Sequence, residues 1–230
     1  MRPPAPDHSC HVITIDGPAG AGKSTVAGML AKRLGWFHLD SGSTYRAFAA
    51  AVLRRGVSPD DAQALAALAG DIRVEIREED GATRVLADGE DVTELIRTPE
   101  VSRASSPVSA VPEVRARLVE LQRSIAEGRN TVAEGRDMGT VVFPNATLKV
   151  FLTASPQERA RRRVRDFQKQ NQSVSEEQVL AEILERDARD STRAVSPLQP
   201  APDAYILETD QLTPDEVVDR IVAWYVDATL

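Results

Sequence analysis

Gly17-Pro18-Ala19-Gly20-Ala21-Gly22-Lys23-Ser24-Thr25 matches the pattern G-x-x-x-x-G-K-[S/T] at every fixed position. Glycines at this spacing let the backbone curl until several N–H groups point at one anion. A helix starting directly after them adds the partial positive charge of its N-terminus. In such a loop the Lys23 ammonium can reach the outer phosphates of a nucleotide, and the Ser24 hydroxyl can ligand Mg²⁺. The loop points to the phosphates of a nucleotide. By itself it does not separate a kinase from a GTPase or a motor.

Three more polar stretches carry residue types that handle anions. Asp40-Ser41-Gly42-Ser43-Thr44-Tyr45-Arg46 sets an arginine near a helix start, where a cation is unfavourable unless an anion answers it. Read alone, Arg46 is equally a solvated surface residue. Glu134-Gly135-Arg136-Asp137-Met138-Gly139 puts an acid at a strand end, where a carboxylate can orient Mg²⁺ and its waters. Arg136 and Asp137 read alone are also compatible with a plain salt bridge. Arg159, Arg161, Arg162, Arg163 and Arg165 are five arginines within seven residues without local compensation, a solvated face or an anion site. Arg186-Asp187-Ala188-Arg189-Asp190-Ser191-Thr192-Arg193 follows at the end of the next helical stretch.

The flanking elements must place these groups. His11 to Asp16 is apolar and β-branched, as a buried strand requires. Val26, Leu30 and Leu34, widened by Ala27, form a helical stripe that stops at Gly35. Trp36 to Leu39 reads as a second strand, and a helix follows from Tyr45 to about Arg55. A strand that runs into a polar turn and a helix puts that turn at the carboxyl edge of a parallel sheet, where ligands bind. Ser58 and Pro59 predict the cap and first residue of a helix reaching Ala69. Over 71–93 the period becomes two, with turn signals at Asp80-Gly81 and Asp88-Gly89, which predicts a small antiparallel insertion projecting from the main sheet.

Helices return at about Pro99–Ala110, bent by Ser105-Ser106-Pro107, and at Pro112–Ala126, striped by Val114, Leu118, Leu121 and Ile125. Thr131 to Ala133 and Thr147 to Leu152 are strands. Ser155-Pro156-Gln157-Glu158 is a capping box that opens the arginine-bearing helix. Past a polar stretch at 168–173, Ser175 caps a helix with Val179, Leu180, Ile183 and Leu184 facing inward. The two helices form a lid hairpin that could close over phosphates and exclude water. Ala204 to Leu207 is a last strand, and Thr213 caps a final amphipathic helix.

The 230 residues suffice for one domain with small insertions. A formal net charge of −7 argues against nucleic-acid or anionic-membrane binding, so arginines must be concentrated locally to handle phosphate. Cys10 is the sole cysteine, so no intrachain disulfide forms, which fits the cytoplasm. Met1 to Ser9 holds three prolines and no apolar core, and no apolar run is long enough to span a membrane.

Taken together, the loop, Asp40-Ser41-Gly42-x-x-Tyr45-Arg46, Glu134-Gly135-Arg136-Asp137-Met138-Gly139 and Arg186-Asp187-x-Arg189-Asp190-x-x-Arg193 resemble the bacterial cytidylate kinase family, over about residues 10–226. The resemblance implies a single nucleoside monophosphate kinase domain over 1–230. Its fold would be α/β: a P-loop NTPase-type parallel sheet flanked by helices, with a small antiparallel β insertion (about 70–97, in the NMP-binding lobe) and an arginine-rich helical lid (about 156–193). Residues 1–9 would be a flexible start.

ATP phosphates would lie on Gly17, Pro18, Ala19, Gly20, Ala21, Gly22, Lys23, Ser24 and Thr25. Ser41, Tyr45 and Arg46 would hold the phosphate end of CMP together with Arg136. Ser106, Arg115 and Asp137 would face the cytosine. Arg186, Asp190 and Arg193 would serve ribose and phosphates. Lys23, Arg46, Arg136 and Arg193 would stabilise the transferring group, with Mg²⁺ on Ser24 and, through water, on Glu134. The acceptors would be CMP and dCMP and the donor ATP, in a cytoplasmic monomer of pyrimidine metabolism that binds neither nucleic acid nor membrane.

The family often has Asp where this chain has Glu134, which keeps the carboxylate and lengthens its reach. The loop ends Lys-Ser-Thr rather than Lys-Gly-Thr, which still leaves a hydroxyl for the metal. A P-loop kinase of another small metabolite would share the loop but lack Arg115 and Asp137 as base-facing groups. A regulatory GTPase would need an Asn-Lys-x-Asp segment, which is absent. A non-catalytic nucleotide-binding module would keep the loop without turnover.

Overall fold

The computed structural model describes residues 10–79, 82–169 and 173–230, apart from the side chain at 82. The expected flexible start at 1–9, the turn at Asp80-Gly81 and the centre of the polar 168–173 stretch lie outside the described residues. No described helix is long and apolar enough to cross a membrane.

A five-stranded sheet is built around β1 (Val12–Asp16). β6 (Thr131–Gly135) pairs with it on one side and β7 (Leu148–Thr153) on the other. β2 (Phe37–Asp40) lies outside β6, and β8 (Tyr205–Glu208) outside β7. Every pairing is parallel. The register sets Asp16 opposite Gly135 and Asp40 opposite Glu134, so the strands end together and release their polar segments at one edge. β1 reads as continuously apolar because helices cover both faces. Ile13, Ile15, Val26, Leu30, Val150, Leu152 and Ile221 form one buried core there, shared with α1 (Lys23–Leu34) and α8 (Pro214–Thr229).

A second core lies under α2 (Ser41–Arg54), α3 (Ala62–Leu68), α4 (Pro99–Val108) and α5 (Pro112–Ala126), around Phe48, Leu65, Val114 and Leu118. The antiparallel strands β3 (Val74–Glu79), β4 (Ala82–Ala87) and β5 (Glu90–Asp91) pack onto it through Val74, Val85 and Ala87. A third, small cluster of Ala160, Val179 and Ile183 joins α6 (Pro156–Lys169) to α7 (Glu176–Thr192).

Several local expectations change. The helix after β2 starts at Ser41, not Tyr45, because the Asp40 carboxylate accepts from Ser43 N at 3.2 Å and caps it. The polar residues 41–44 are its first turn. Asp61, not Ser58, caps α3, accepting from Ala64 N at 3.0 Å. α4 continues through Pro107, whose missing N–H falls in the last turn, and stops at Val108. Ser175 makes no side-chain cap bond, and Leu184 is 50% exposed rather than inward. The five arginines are answered in three dimensions: Glu158 meets Arg161, Arg162 and Arg165, Asp187 meets Arg159, and Arg163 lies over the Phe167 ring.

Gly17 shows why the strand must release into a glycine. Its φ is +147°, and a Cβ there would sit 2.0 Å from the Leu152 carbonyl oxygen of β7. That oxygen belongs to backbone and cannot rotate away. Gly17→Ala should therefore cost about 3 kcal/mol or more, combining backbone strain with the forced displacement. Denaturant unfolding measures it; a loss below about 1 kcal/mol would mean the loop moves freely off β7.

Candidate functional site

At the carboxyl edge of the sheet the segments after β1, β2 and β6 surround a cleft of about 840 Å³, roofed by α6 and α7. Residues Ala19 to Thr25 line it, while Gly17 and Pro18 are buried and do not. Lys23 is 6% exposed, and its Nζ donates to the Pro18 carbonyl oxygen at 2.7 Å. Burial drives the Lys23 pKa well below its usual value, and the nearby Arg136 and Arg186 add to this while Glu134 opposes it. A cation so placed is short of an anion.

Ser24 Oγ donates to Glu134 Oε2 at 2.8 Å, and His38 Nε2 lies 3.3 Å from Glu134 Oε1. Hydroxyl and carboxylate are both hard oxygen donors, and a Ser24 oxygen that donates to Glu134 keeps its lone pairs for a metal. No group of three or more His, Cys, Asp or Glu among the described residues could hold a cation alone. The pair therefore fits Mg²⁺, which favours one or two protein oxygens and takes the rest from phosphates and water.

The arginine-bearing side of the cleft has two contrasting ends. At one, Arg46 Nη2 donates to Asp40 Oδ2 at 2.6 Å, and Arg136 Nε donates to Asp190 Oδ2 at 3.0 Å. Arg186 Nε stands 4.0 Å from the same oxygen and makes no hydrogen bond among the described residues. Burial, reinforced by Arg136, lowers the Arg186 pKa to about 10. The Arg193 pKa is lowered by burial and by Arg115, and its Nη2 also lacks a partner among the described residues. Burial raises the Asp190 carboxyl, but Arg136 and Arg186 outweigh it and the group stays below its usual range.

At the other end, Arg115 and Asp137 are each 3% exposed in their side chains and form a direct ion pair. Arg115 Nη1 also donates to the Ser109 carbonyl at 3.0 Å, its guanidinium lies 5.5 Å from the Tyr45 ring centroid, and its Nε has no partner among the described residues. Nor does the Tyr45 hydroxyl among the described residues, and burial pushes its pKa up to about 12. Asp137 thus pairs with Arg115, and Arg136 with Asp190.

The structure brings most of the expected residues together: Ser41, Tyr45, Arg46, Arg115, Arg136 and Asp137 line the cleft, as do Arg186, Asp190 and Arg193. Ser41 Oγ is also committed to the Glu134 carbonyl, at 2.7 Å. Ser106 differs. Its neighbours Ser105 and Ser109 line this cleft, but Ser106 lies on a separate groove between α4 and α7, where its hydroxyl accepts from Arg189 Nη1 at 2.7 Å. Consecutive helical residues point about 100° apart, so Ser105 and Ser106 cannot share a face.

Three residues were not anticipated. Asp40 answers Arg46 besides capping α2. Arg159 hides within the arginine run yet is 3% exposed. Asp16, the one charged group of an otherwise apolar strand, accepts from Met138 N at 2.8 Å and Gly139 N at 2.7 Å. It thereby fixes the turn carrying Arg136 and Asp137. A lone carboxylate in a buried strand was the available signal.

A family model described as cytidylate kinase matches residues 13–227. The chain is 52% identical to the cytidylate kinase of Pelotomaculum thermopropionicum, over 92% of this chain and 94% of that protein. It is 48% identical to the cytidylate kinase of Pseudomonas aeruginosa, over 92% of this chain and 93% of the other. Among solved structures, an uncharacterized protein from Eubacterium ventriosum aligns with a TM-score of 0.52 at 13% identity, covering 94% of this chain and 98% of that one, a likeness of fold alone.

Burial raises the Asp16 pKa from 3.8 to about 6, against the two N–H bonds from Gly139 and Met138. Between those values the folded protein holds a proton that the unfolded chain has released. The contribution is therefore complete below the ordinary carboxylate range and is lost as pH rises through about 6. Asp16→Asn does not titrate. The thermal-stability difference between wild type and variant should move in the variant's favour from about pH 4 to about pH 7 and then level off. A difference that stays flat across this window would show Asp16 ionised throughout.

Proposed function

The chain belongs to the cytidylate kinase family; it is an ATP-dependent phosphotransferase acting on CMP, and we propose that it uses dCMP as a second acceptor, requires Mg²⁺ and works through the cleft residues described above. The observation that carries the site assignment is the cluster of buried cations, Lys23, Arg186 and Arg193, all lining one cleft, whose pKa values burial and neighbouring arginines depress despite the carboxylates of Glu134, Asp137 and Asp190 close by.

ATP phosphates lie on the amides of the loop from Gly17 to Thr25, and Lys23 exchanges the Pro18 carbonyl for a phosphate oxygen. The CMP phosphate oxygen attacks the γ-phosphorus in line, the bond to the β-phosphate oxygen breaks, and ADP leaves. No covalent enzyme intermediate is needed. Arg46, Arg136 and Arg193 spread the charge of the transferring group, with Arg186 and Asp190 beside them. A planar fork that grips oxygens in pairs suits this task. Ser24, and Glu134 through water, would hold Mg²⁺, which when bound would neutralise charge on the phosphate oxygens. The α6–α7 lid excludes water that would otherwise accept the phosphoryl group. In this reading the protein is a cytoplasmic monomer acting on small molecules, with neither nucleic acid nor membrane as a partner, in keeping with its net charge of −7.

At the base end Asp137 accepts from the cytosine 4-amino group, as carboxylates do when they read cytosine edges, and Arg115 donates to N3 and O2. Ser106 would reach the base only if α4 turned and Arg189 released it, because it faces the other groove. Uracil offers a carbonyl where cytosine offers the amine, and so meets Asp137 acceptor to acceptor. The whole reading is tested by coupled ADP release against CMP, dCMP, UMP, AMP, GMP and shikimate. CMP and dCMP should turn over and UMP markedly less. Folded protein that releases no ADP with either cytosine nucleotide would overturn it.

Asp137 cannot usefully be cut to alanine, because Arg115 would be left buried with neither counter-ion nor acceptor, whereas asparagine gives up the charge but keeps an acceptor oxygen. Asp137→Asn keeps the shape. Its amide can turn a donor toward uracil, so the CMP-to-UMP ratio of kcat/KM should shrink by roughly five- to 100-fold, the worth of one mismatched buried polar contact. An unchanged ratio would mean that Asp137 only holds Arg115.

A further inference from the structure

Arg159 touches elements that serve opposite ends of the reaction. It sits in the first turn of α6 and is 3% exposed. Its Nε donates to the Ala154 carbonyl at 3.0 Å, its Nη1 to the Ala19 carbonyl at 3.1 Å and its Nη2 to Asp187 Oδ2 at 2.6 Å. Ala19 belongs to the phosphate loop. Asp187 belongs to α7, next to Arg186 and one helical turn from Asp190. The loop also rests on the stem of Arg159: at Gly20, where φ is +78°, a Cβ would lie 3.1 Å from Arg159 Cβ.

We propose that Arg159 and Asp187 are positioning residues that relay occupancy of the donor loop to α7, and hence to the acceptor site. This rests on the reading that ATP lies on the loop and CMP against Arg186, Asp190 and Arg193. Amides that converge on a phosphate set the direction of the loop's carbonyls, Ala19 O among them. The guanidinium is planar and stiff, so an acceptor fixed at one edge fixes the donors at the other. Asp187 Oδ1 makes no hydrogen bond among the described residues, so the carboxylate is held through Oδ2 by Arg159. A charge-assisted bond in so buried a place follows its partner rather than breaking.

α7 is a continuous helix of 17 residues and moves as a unit. Besides the apolar cluster and the Arg161–Glu176 ion pair that join it to α6, it is tied to the acceptor side: Asp190 to Arg136 after β6, and Arg189 to Ser106 on α4. A shift of Asp187 therefore reaches Arg186 and Asp190 directly. Coupling of this kind is reciprocal: CMP tightens ATP by the same factor as ATP tightens CMP.

A mere staple between α6 and α7 would lower stability when cut and leave that factor alone. Titration calorimetry separates the two. The dissociation constant of a non-hydrolysable ATP analogue is measured with and without saturating CMP, and that of CMP with and without the analogue. Wild type should bind each nucleotide at least about fivefold more tightly when the other is present. In Asp187→Ala and Arg159→Lys each nucleotide alone should still bind, with the factor falling close to one, while Asp187→Asn, which keeps an acceptor oxygen, should retain part of it. Should Arg159→Lys fail to fold, Asp187→Ala carries the test, because that side chain is partly solvent-facing. Variants that bind both nucleotides with the wild-type factor overturn the relay, as does a wild type that binds both without coupling. A wild type that binds no CMP overturns the site assignment and the relay together.

Discussion

Positive charge held out of water with too little negative charge beside it is the constraint around which this protein is arranged. Lys23, Arg186 and Arg193 all lose proton affinity to burial. Asp190 faces both Arg136 and Arg186 and is held ionised by them against its own desolvation. Cations in this state would swing outward into solvent if nothing restrained them. Part of the restraint comes from neutral backbone oxygens: Pro18 O holds Lys23 and Ser196 O holds Arg193, while Arg115 and Arg159 add carbonyl bonds, to Ser109 O and to Ala154 O and Ala19 O, to their ion pairs with Asp137 and Asp187. A carbonyl orients a donor without cancelling its charge. The electrostatic work of arranging the site is thus done on folding, and little reorganisation remains when a phosphate arrives.

The sheet supplies the rigidity for this. Three polar segments leave adjacent strands at the same level, and short contacts lock them together at the edge. Ser41 Oγ donates across to the Glu134 carbonyl, and a Cβ on Gly135 would fall 2.5 Å from that hydroxyl. Asp16 holds two successive amides after β6. Its burial is unfavourable for the carboxylate, yet no neutral side chain of that size presents two acceptor oxygens to two parallel N–H groups. Within the lid, α6 and α7 share a small apolar cluster and the Arg159–Asp187 pair, while α7 meets the sheet edge through the Arg136–Asp190 pair, which can re-form at new distances as a packed core cannot.

The phosphate loop was legible in the sequence because its chemistry dictates backbone shape, and only glycines permit that shape. The parallel sheet followed from apolar runs that precede polar turns. What escaped depends on partners distant in sequence. Residues 41–44 resemble a turn in composition, and only the Asp40 side chain makes them a helix start. The arginine run looked uncompensated because Glu158 can be seen to serve three of its members only once the helix is wound. Ser106 and Ser105 are neighbours in sequence, but the helix sends them to different cavities. Asp137 was weighed as a partner of adjacent Arg136, whereas the strand end turns the two side chains apart, one to Arg115 and the other to Asp190.

That divergence bears on how the acceptor site divides its tasks. On the proposed assignment, the phosphate end presents more positive than negative charge, so a ligand phosphate would complete the electrostatics and gain affinity from doing so. At the proposed base end Arg115 and Asp137 already balance one another, and a base that entered would exchange hydrogen bonds with them nearly one for one. Little affinity is available from such an exchange, but a base with the wrong pattern leaves a buried group unpaired. On the proposed assignment, affinity and discrimination are therefore separated in space and carried by two consecutive residues, Arg136 and Asp137. The turn that holds both is fixed by Asp16. A disturbance there would be expected to loosen phosphate grip and base choice together, whereas changes at either end would alter only one.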